Sequence, residues 1–313
     1  MVYSIKIPVI PGTHHKANAL GLKIDDYRGA PSTLCGGCGH DAISTAIMQA
    51  CFELAIPPEK LVKLSGIGCS SKTPAYFVRG AHAFNAIHGR MPAIATGANM
   101  ANRDLIYLAV SGDGDTANIG VGSFVHAVKR RLNITYLVEN NGVFGLTKGQ
   151  FSSTADKGSK SKRGLVHDEA GFDLVEWAVQ LGASFAARSF SANKAQLVPL
   201  LKTAMSTKGF ALIDILSPCV SFNNHDGSTK SYAFVREHEF ALDQAFNDRT
   251  DALRFLIDKR REGVILTGGI FLKPDAHDFH DHNHSDRRPL NQIPFEELSP
   301  GLLALEAINA QFR

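Results

Sequence analysis

Two polar turns in the middle of the chain carry residues suited to a metal-bound diphosphate. The first turn, GDGD at 112–115, is separated from the apolar run LIYLAV by Ser111 alone, and the second, NNG at 140–142, directly follows ITYLVE. Glycine lets backbone approach a diphosphate closely, while the Asp113 carboxylate and the Asn141 amide supply hard oxygen ligands of the kind magnesium takes. Ligands bind at strand ends in open parallel sheets, so we expect both turns to border one magnesium–diphosphate site.

Each motif taken alone has simpler explanations. Glycine, aspartate and asparagine are common in ordinary turns, so GDGD and NNG are by themselves as compatible with plain turns as with a site. A calcium loop is a weaker alternative, because Ala117 stands two residues after Asp115, where a further oxygen ligand would be needed.

Four of the five cysteines lie in loops where their sulfurs can face a metal. Cys35 and Cys38 form a CxxC turn in CGGCGH, Cys69 follows a predicted strand in GIGCSSK, and Cys219 follows another in LSPCVSF. Four thiolates suit a tetrahedral zinc ion and a [4Fe–4S] cluster alike, and the spacing leaves both open; the Gly-Gly centre makes disulfide exchange less favoured. Cys51 lies on the apolar face of a predicted helix, which indicates core packing.

Strand and helix patterns alternate along the chain segments that must position these loops. Apolar runs predict strands at 61–64, 105–110, 134–139, from 183 and at 210–216, and helical spacing predicts helices at 43–54, 121–132, from 172 and from 193. Such alternation predicts parallel βαβ units. The expected fold class is α/β, with a doubly wound, mostly parallel sheet covered by helices on both faces.

The same pattern divides the chain into three parts. Residues 1–30 are predicted to be an irregular N-terminal extension, 31–247 the α/β domain with the cysteine loops, and 248–313 an extended C-terminal tail. Within the domain, Ser152 to Asp168 is rich in Ser, Lys and Gly, which predicts a mobile surface loop and a candidate lid. The tail contains a polar stretch that is more typical of a flexible segment than of a metal site. Its histidines are His277, His280, His282 and His284.

Composition narrows the function classes. The 313 residues are 44% hydrophobic and carry a formal charge of only +3, with basic residues scattered except for a short cluster near Lys157 to Arg163. This balance argues against a nucleic-acid partner. No apolar run reaches the length of a signal peptide or membrane span, so we expect no membrane partner and a cytoplasmic location, where an odd number of cysteines favours metal ligands over disulfides.

The two turns together resemble a known family. GDGD, a helix-length gap and NN are similar to the thiamine-diphosphate fingerprint, and GLTKGQFS narrows the resemblance to the beta subunits of 2-oxoacid:ferredoxin oxidoreductases, over about residues 30 to 225. It implies a thiamine-diphosphate-binding domain of the PP type, with Mg²⁺ held by the Asp113 and Asn141 side chains and the Val143 carbonyl. The residues that it places against thiamine diphosphate are Ile67, Gly68, Cys69, Ser70, His88, Gly114, Asp115, Gly145 and Leu146.

The cysteine pattern resembles the cluster ligands of the same family, which implies a [4Fe–4S] cluster on Cys35, Cys38, Cys69 and Cys219. In that family the thiamine carbanion attacks the 2-oxo carbon, carbon dioxide leaves, electrons pass through the cluster to ferredoxin, and coenzyme A takes the acyl group. By the same resemblance, Lys72 and Lys148 would bind substrate carboxylate, although an isolated lysine is usually a solvated surface residue.

The resemblance also implies a partner and a substrate. Thiamine enzymes need a glutamate on the aminopyrimidine, and this chain is too short for both domains, so we expect an alpha or fused gamma–alpha subunit to supply it. SGIGCSS, HGRMPAIATG, GLTKGQ and PLNQIPFEELSPG resemble the 2-oxoglutarate branch. The alternatives are pyruvate or a broad 2-oxoacid range, a non-oxidative thiamine-diphosphate decarboxylase subunit, and a zinc-stabilised assembly protein without enzymatic activity.

Overall fold

A computed structural model describes residues 17–225, 227–282, 288–299 and 301–312. The strands are β1 (Leu61–Ser65), β2 (His82–Asn85), β3 (Ile106–Gly112), β4 (Ile134–Asn140), β5 (Val143–Phe144), β6 (Gln150–Phe151), β7 (Phe185–Phe190), β8 (Phe210–Leu216), β9 (Glu239–Ala241) and β10 (Ile265–Leu272). The α-helices are α1 (Gly39–Glu53), α2 (Met91–Ala101), α3 (Val121–Lys129), α4 (Leu174–Leu181), α5 (Lys194–Ser206), α6 (Tyr232–His238), α7 (Arg249–Arg261), α8 (Phe279–His282), α9 (Phe295–Leu298) and α10 (Leu302–Ala310).

Eight strands form one sheet in the order β2-β1-β3-β4-β8-β7-β10-β9. Its pairings are parallel except for that of β10 with β7. Strands β1, β4 and β8 are buried along their whole length, as expected of strands covered on both faces. One apolar core packs α2, α3, α4 and α7 against one face of the sheet, and a second core packs α1 and α5 against the other. The predicted α/β class with a doubly wound, mostly parallel sheet is confirmed.

The strand register brings four chemistry-bearing loops to one edge of this sheet. Gly112, at the end of β3, pairs with Glu139 of β4, and Asn140 pairs with Leu216 of β8. Strand β1 lies on the other side of β3. The loops that follow β1, β3, β4 and β8 are therefore consecutive neighbours, and they begin GIGC, DGD, NG and SPC.

The C-terminal boundary predicted at 248 is wrong. Arg249–Arg261 forms α7, capped by Asp248, which accepts hydrogen bonds from Thr250 and Asp251 backbone amides, and Ile265–Leu272 forms β10 inside the main sheet. Neither element shows the apolar pattern from which helices and strands are predicted, because α7 is highly charged and β10 contains a Gly-Gly pair at 268–269. A separate C-terminal segment therefore starts only after β10.

The described part of the predicted N-terminal extension is also packed rather than free. Tyr27 is fully buried, and its hydroxyl donates to the Ile56 carbonyl at 2.8 Å. A Cβ on Gly29 would overlap the backbone at Ala75 and Tyr76. Residues 17–30 are irregular apart from one 3₁₀ turn, as expected, but they belong to the domain. Residues 1–16 lie outside the described part of the chain.

The segment predicted as a mobile loop, Ser152 to Asp168, has two parts. Its start is buried, since Ser152 and Thr154 are each 2% exposed. Its second part is an exposed hairpin in which Lys160 and Val166 form an antiparallel bridge. Within the described residues, no helix combines the length and apolar character needed to cross a membrane.

The histidine-rich stretch is only partly described. His277 lies 3.7 Å from Asp281, and His280 contacts the side chain of Asn99 at 2.9 Å. The side chain of His282 and the whole of His284 lie outside the described residues.

Candidate cofactor and cluster site

A pocket opens at the sheet edge where the four loops meet. It is lined by residues from all of the loops except the one after β8, together with His40 of α1 and the turn around His88. The lining residues are His40, Ile67, Gly68, Cys69, Ser70, His88, Gly112, Asp113, Gly114, Asp115, Glu139, Asn141, Val143, Phe144, Gly145, Leu146 and Thr147. Every residue predicted to contact thiamine diphosphate or Mg²⁺ is in this set.

Asp113 is the most tightly held carboxylate of the pocket. It is 1% exposed, and one oxygen accepts hydrogen bonds from the Gly142 amide at 3.1 Å, from the Thr154 hydroxyl at 2.7 Å and from the Ser152 hydroxyl. Its other oxygen has a single long contact, 3.3 Å from the Asn141 amide. That second oxygen is the one with acceptor capacity left for a cation.

The NNG turn presents a second oxygen beside Asp113. The Asn141 side-chain oxygen accepts from the Val143 amide at 3.1 Å, which fixes the amide in the turn. Gly142 has a φ of +75°, and a Cβ there would meet the Asn223 amide group at 2.8 Å, so both backbone and space demand glycine. Asn223 donates to the Asn141 carbonyl at 2.8 Å. A buried carboxylate and an amide oxygen are a donor set that fits magnesium.

Both oxygens of the Asp115 carboxylate already have partners within the protein, so Asp115 positions other groups rather than binding a metal. One of its oxygens contacts His88 Nδ1 and accepts from the Gly89 amide at 2.7 Å, and the other accepts from Ser111 at 2.8 Å. A Cβ on Gly66 would overlap this carboxylate. The arrangement orients His88, whose side chain is one-third exposed, towards the pocket mouth.

The cysteine loops meet beside the pocket. The sulfurs of Cys69 and Cys219 both lie 3.5 Å from the position that a Cβ of Gly145 would occupy. The CxxC turn packs closely against the Cys219 loop at Gly39, since a Cβ there would collide with the Ser217 and Ser191 hydroxyls and lie 3.3 Å from Pro218. The Cys35 sulfur lies 3.9 Å from the Ser221 hydroxyl. The three loops that carry the four predicted cysteine ligands are thus adjacent.

The thiols differ in environment. Burial raises the pKa of Cys38 to about 12 and also raises that of Cys69, where the neighbouring Cys219 adds to the effect. Cys35 is exposed, whereas Cys51 is fully buried in the α1–α5 core, as predicted. Among the described residues, no three His, Cys, Asp or Glu side chains are grouped closely enough to hold a single metal ion.

A buried polar pair, Glu139 and His40, forms part of the pocket wall. Glu139 is fully buried, one oxygen accepts from Thr73 at 2.9 Å, and the other has no hydrogen-bond partner among the residues that the structure describes. Burial raises the pKa of Glu139 well above its usual range and lowers that of His40 to about 4. The two side chains approach to 3.7 Å in surroundings that disfavour the charged form of each. His40 Nδ1 contacts Ser217 at 2.8 Å.

Comparison with known proteins decides the family. The thiamine pyrophosphate enzyme C-terminal TPP binding domain matches residues 66–215. The 2-oxoacid:ferredoxin oxidoreductase subunit beta of Saccharolobus solfataricus is 34% identical over 265 residues, which cover 82% of this chain and 86% of that protein. The chain belongs to the 2-oxoacid:ferredoxin oxidoreductase beta subunits. The family, the enzyme class and the thiamine-binding fold predicted from the motifs are thereby confirmed.

Two further relatives of this beta subunit are named for 2-oxoglutarate. The 2-oxoglutarate synthase subunit KorB of Methanocaldococcus jannaschii is 34% identical over 220 residues, covering 69% of this chain and 81% of that protein. The solved 2-oxoglutarate:ferredoxin oxidoreductase from Magnetococcus marinus, with 2-oxoglutarate, coenzyme A and succinyl-CoA bound, superposes with a TM-score of 0.77 at 32% identity. That match covers 85% of this chain and 89% of the solved chain.

The two lysines predicted to bind substrate carboxylate lie outside the pocket lining of the oxidoreductase subunit. The Lys72 ammonium contacts the Thr33 hydroxyl at 3.2 Å, which ties the Cys69 loop to the CxxC loop. Lys148 is exposed and has a φ of +78°, an unusual conformation for a residue with a side chain, directly before Gly149 at +93°. Such strain is typical of functional turns.

Several site residues escaped the sequence analysis of this subunit. The hydroxyls of Ser152 and Thr154 bind Asp113 from a stretch that reads as a surface loop. The Asn223 side chain, which follows Cys219 in the chain, donates to the backbone carbonyl of Asn141 in the NNG turn. These contacts join segments that are far apart in the chain, so no local signal marked the residues. Glu139 lies within strand β4, where the apolar pattern gives no sign of a site residue.

Proposed function

We propose that this beta subunit binds thiamine diphosphate, Mg²⁺ and a [4Fe–4S] cluster and serves the oxidative decarboxylation of 2-oxoglutarate to succinyl-CoA. The observation that carries the proposal is the position of Gly145. It lines the pocket with Asp113 and Asn141, and its missing side chain leaves the sulfurs of Cys69 and Cys219 beside that pocket. The thiamine pocket and the proposed cluster would then be separated only by Gly145.

The oxygen ligands and the pocket walls define where the thiamine cofactor would sit. Asp113, Asn141 and the Val143 carbonyl would hold Mg²⁺ on the diphosphate, and Gly114 would leave room for it beside the Phe144 ring. When bound, thiamine diphosphate supplies a carbanion that cleaves the bond between the 2-oxo and carboxylate carbons. The protein orients the cofactor and excludes water, because the Asp113 carboxylate and Asn141 amide are both buried.

The electron balance of the overall reaction indicates the role proposed for the four cysteines. Loss of carbon dioxide and transfer of the acyl group to the coenzyme A thiol release one proton and leave two electrons, which two ferredoxins take singly. Cys35, Cys38, Cys69 and Cys219 would hold the one-electron relay. Burial of Glu139 and His40 beside the pocket disfavours the charged form of both side chains.

The substrate is proposed from relatives and from charge. The solved relative binds 2-oxoglutarate, coenzyme A and succinyl-CoA, and KorB is named for 2-oxoglutarate. Lys72 and Lys148 flank the loops of the pocket and would attract a dicarboxylate. Another relative is named for 2-oxoacids in general, so pyruvate is the natural comparison substrate.

An alpha subunit is proposed to close the pocket and supply the glutamate for the aminopyrimidine. Its docking is supported by apolar side chains that stand exposed around the pocket mouth, where a lone chain would leave them in water. They are Ile67, Ile87, Ile119 and Leu146, at 38%, 74%, 48% and 53% exposure. A cytoplasmic location stays a prediction, in keeping with five free cysteines.

The proposal is tested with the complex of this chain and its alpha subunit, prepared without oxygen. We expect iron and sulfide in equal amounts, no zinc, and a higher kcat/KM for 2-oxoglutarate than for pyruvate with ferredoxin as acceptor. The isolated chain should bind thiamine diphosphate poorly. Zinc in place of iron, or tight cofactor binding and turnover by the isolated chain, would overturn it.

A further inference from the structure

We propose that the hairpin 159–167 and the turn after Cys219 form the docking surface for a small acidic one-electron carrier protein of the ferredoxin kind. This inference rests on the proposed function. It starts from the basic cluster around Lys157 to Arg163, which neither the pocket nor the cysteine ligands use. The hairpin is ordered by backbone hydrogen bonds from Ser161 to Leu165 and from His167 to Ser159, each 2.9 Å long.

The hairpin concentrates positive charge. Between residues 157 and 167 there are four lysines or arginines and no aspartate or glutamate, and all four cations are exposed. They are Lys157, Lys160, Lys162 and Arg163. Within the described part of the chain, none of the four is in an ion pair, whereas nearby Asp156 is taken up by Lys230 at 2.8 Å. The surface therefore presents a positive field that a carboxylate-rich protein would meet favourably.

The hairpin also touches the loop that carries a cluster ligand. The Lys162 ammonium stands 4.6 Å from the centre of the Phe222 ring. Phe222 donates its backbone amide to the Cys219 carbonyl at 3.1 Å, and the neighbouring Ser221 hydroxyl lies 3.9 Å from the exposed Cys35 sulfur. The positive patch is thus fixed beside the point where the proposed cluster comes closest to solvent.

Exposed apolar side chains complete the surface. Leu165 and Val166, on the hairpin, are 66% and 57% exposed, and Val220, next to Cys219, is 37% exposed. Apolar contact ringed by charge suits a small, transient redox interface, in which charge steers the partner and a limited dry contact brings the cofactors together. The alpha-subunit face described above carries exposed apolar residues but no comparable run of cations.

The test compares acceptors in the intact alpha–beta complex. In the triple variant Lys160→Glu, Lys162→Glu, Arg163→Glu, the KM for a purified acidic [4Fe–4S] ferredoxin should rise about tenfold or more at low ionic strength. The 2-oxoglutarate-dependent rate with methyl viologen, a small acceptor that needs no docking surface, should not change. Added salt should raise the ferredoxin KM of the wild type and lower that of the variant.

A control complex carries the same charge reversal at Arg130, Arg254 and Arg261, which lie at the end of α3 and on α7. It should keep the wild-type ferredoxin KM. An unchanged ferredoxin KM in the hairpin variant, or an equal rise in the control, overturns the docking proposal. Absence of 2-oxoacid-dependent reduction of both acceptors by the wild-type complex would instead refute the proposed function.

Discussion

The hydroxyl of Thr154 lies within hydrogen-bonding distance of three groups, the Asp113 carboxylate at 2.7 Å, the Asn140 amide oxygen at 2.9 Å and the Ser152 hydroxyl at 3.0 Å. Asn140 donates to Asp214 at 2.9 Å, and Asp214 pairs with the buried guanidinium of Arg188. A polar chain therefore runs from the proposed magnesium ligand across β4 and β8 to β7. Such outer partners hold a metal ligand in one orientation.

Removing the Thr154 hydroxyl should weaken magnesium binding. In Thr154→Val, Asp113 loses a donor that fixes its rotamer, so the Mg²⁺ concentration needed for half-maximal thiamine diphosphate binding should rise roughly 10- to 100-fold. Calorimetric titration of the alpha–beta complex measures this without turnover. Thr154→Ser should restore binding, because it returns the hydroxyl.

Ser153 provides the control for that titration. It lies in the same loop, and its backbone amide, not its side chain, makes the hydrogen bond to Asn118. Ser153→Ala should bind at the wild-type Mg²⁺ concentration. If Thr154→Val also did so, the proposed orienting role of Thr154 would be wrong.

Cluster content should depend on four cysteines and not on the fifth. Cys69→Ser and Cys219→Ser remove sulfurs that both lie 3.5 Å from the Cβ position of Gly145, so the purified complex should lose most of its iron and brown absorption. Cys51→Ala is the matched control, since Cys51 is buried in the α1–α5 core, and it should lower the melting temperature while iron stays constant. Equal iron loss in all three variants would contradict the ligand assignment.

After removal of the cluster, Cys38 should react slowly and with a steep pH dependence. Its pKa is raised to about 12 by burial, so on the order of one thiol in 10⁴ is ionised at pH 8. The rate of alkylation by iodoacetamide, followed by mass spectrometry of the Cys38 peptide, should rise about tenfold per pH unit from pH 7 to 10. A rate that levels off below pH 9 would show that the thiol is not shifted upwards.

Glu139 should make folding less favourable as pH rises. Its pKa is raised in the folded state, so above about pH 4.5 the unfolded chain releases a proton that the folded chain retains, and stability falls with pH. Glu139→Gln removes this dependence while keeping an acceptor for Thr73. The melting temperature of the variant relative to wild type should therefore increase steadily from pH 5 to pH 8. A difference that is constant with pH would mean that Glu139 is ionised in the fold.

Local sequence predicts the strands of this fold whose residues are nearly all apolar. Strand β8 is predicted at 210–216 from an apolar run that only Asp214 interrupts, and the apolar runs of β3 and β4 lead into SGDGD and NNG. Strand β10 is not predicted by the sequence pattern, because two glycines interrupt its apolar run: Gly268, which has a φ of +99°, and Gly269.

The site was predictable where a single loop carries the chemistry and hidden where distant segments fold back. Asp113 and Asn141 stand in short polar motifs at the ends of predicted strands, so the sequence alone identifies them as candidate ligands. Thr154 looks like part of a polar surface loop, because its partner lies 41 positions earlier in the chain. Asn223 is similarly remote from Asn141, 82 positions away. Such contacts depend on tertiary structure, which no local pattern records.

The most direct test of the account is a single turnover of the alpha–beta complex, mixed anaerobically with 2-oxoglutarate and followed by electron paramagnetic resonance. We predict that the substrate reduces a [4Fe–4S] centre, that omission of thiamine diphosphate abolishes the signal, and that coenzyme A with ferredoxin then yields succinyl-CoA. Cys69→Ser should give no signal. Carbon dioxide release with a free aldehyde as product and no reduced cluster would contradict the account.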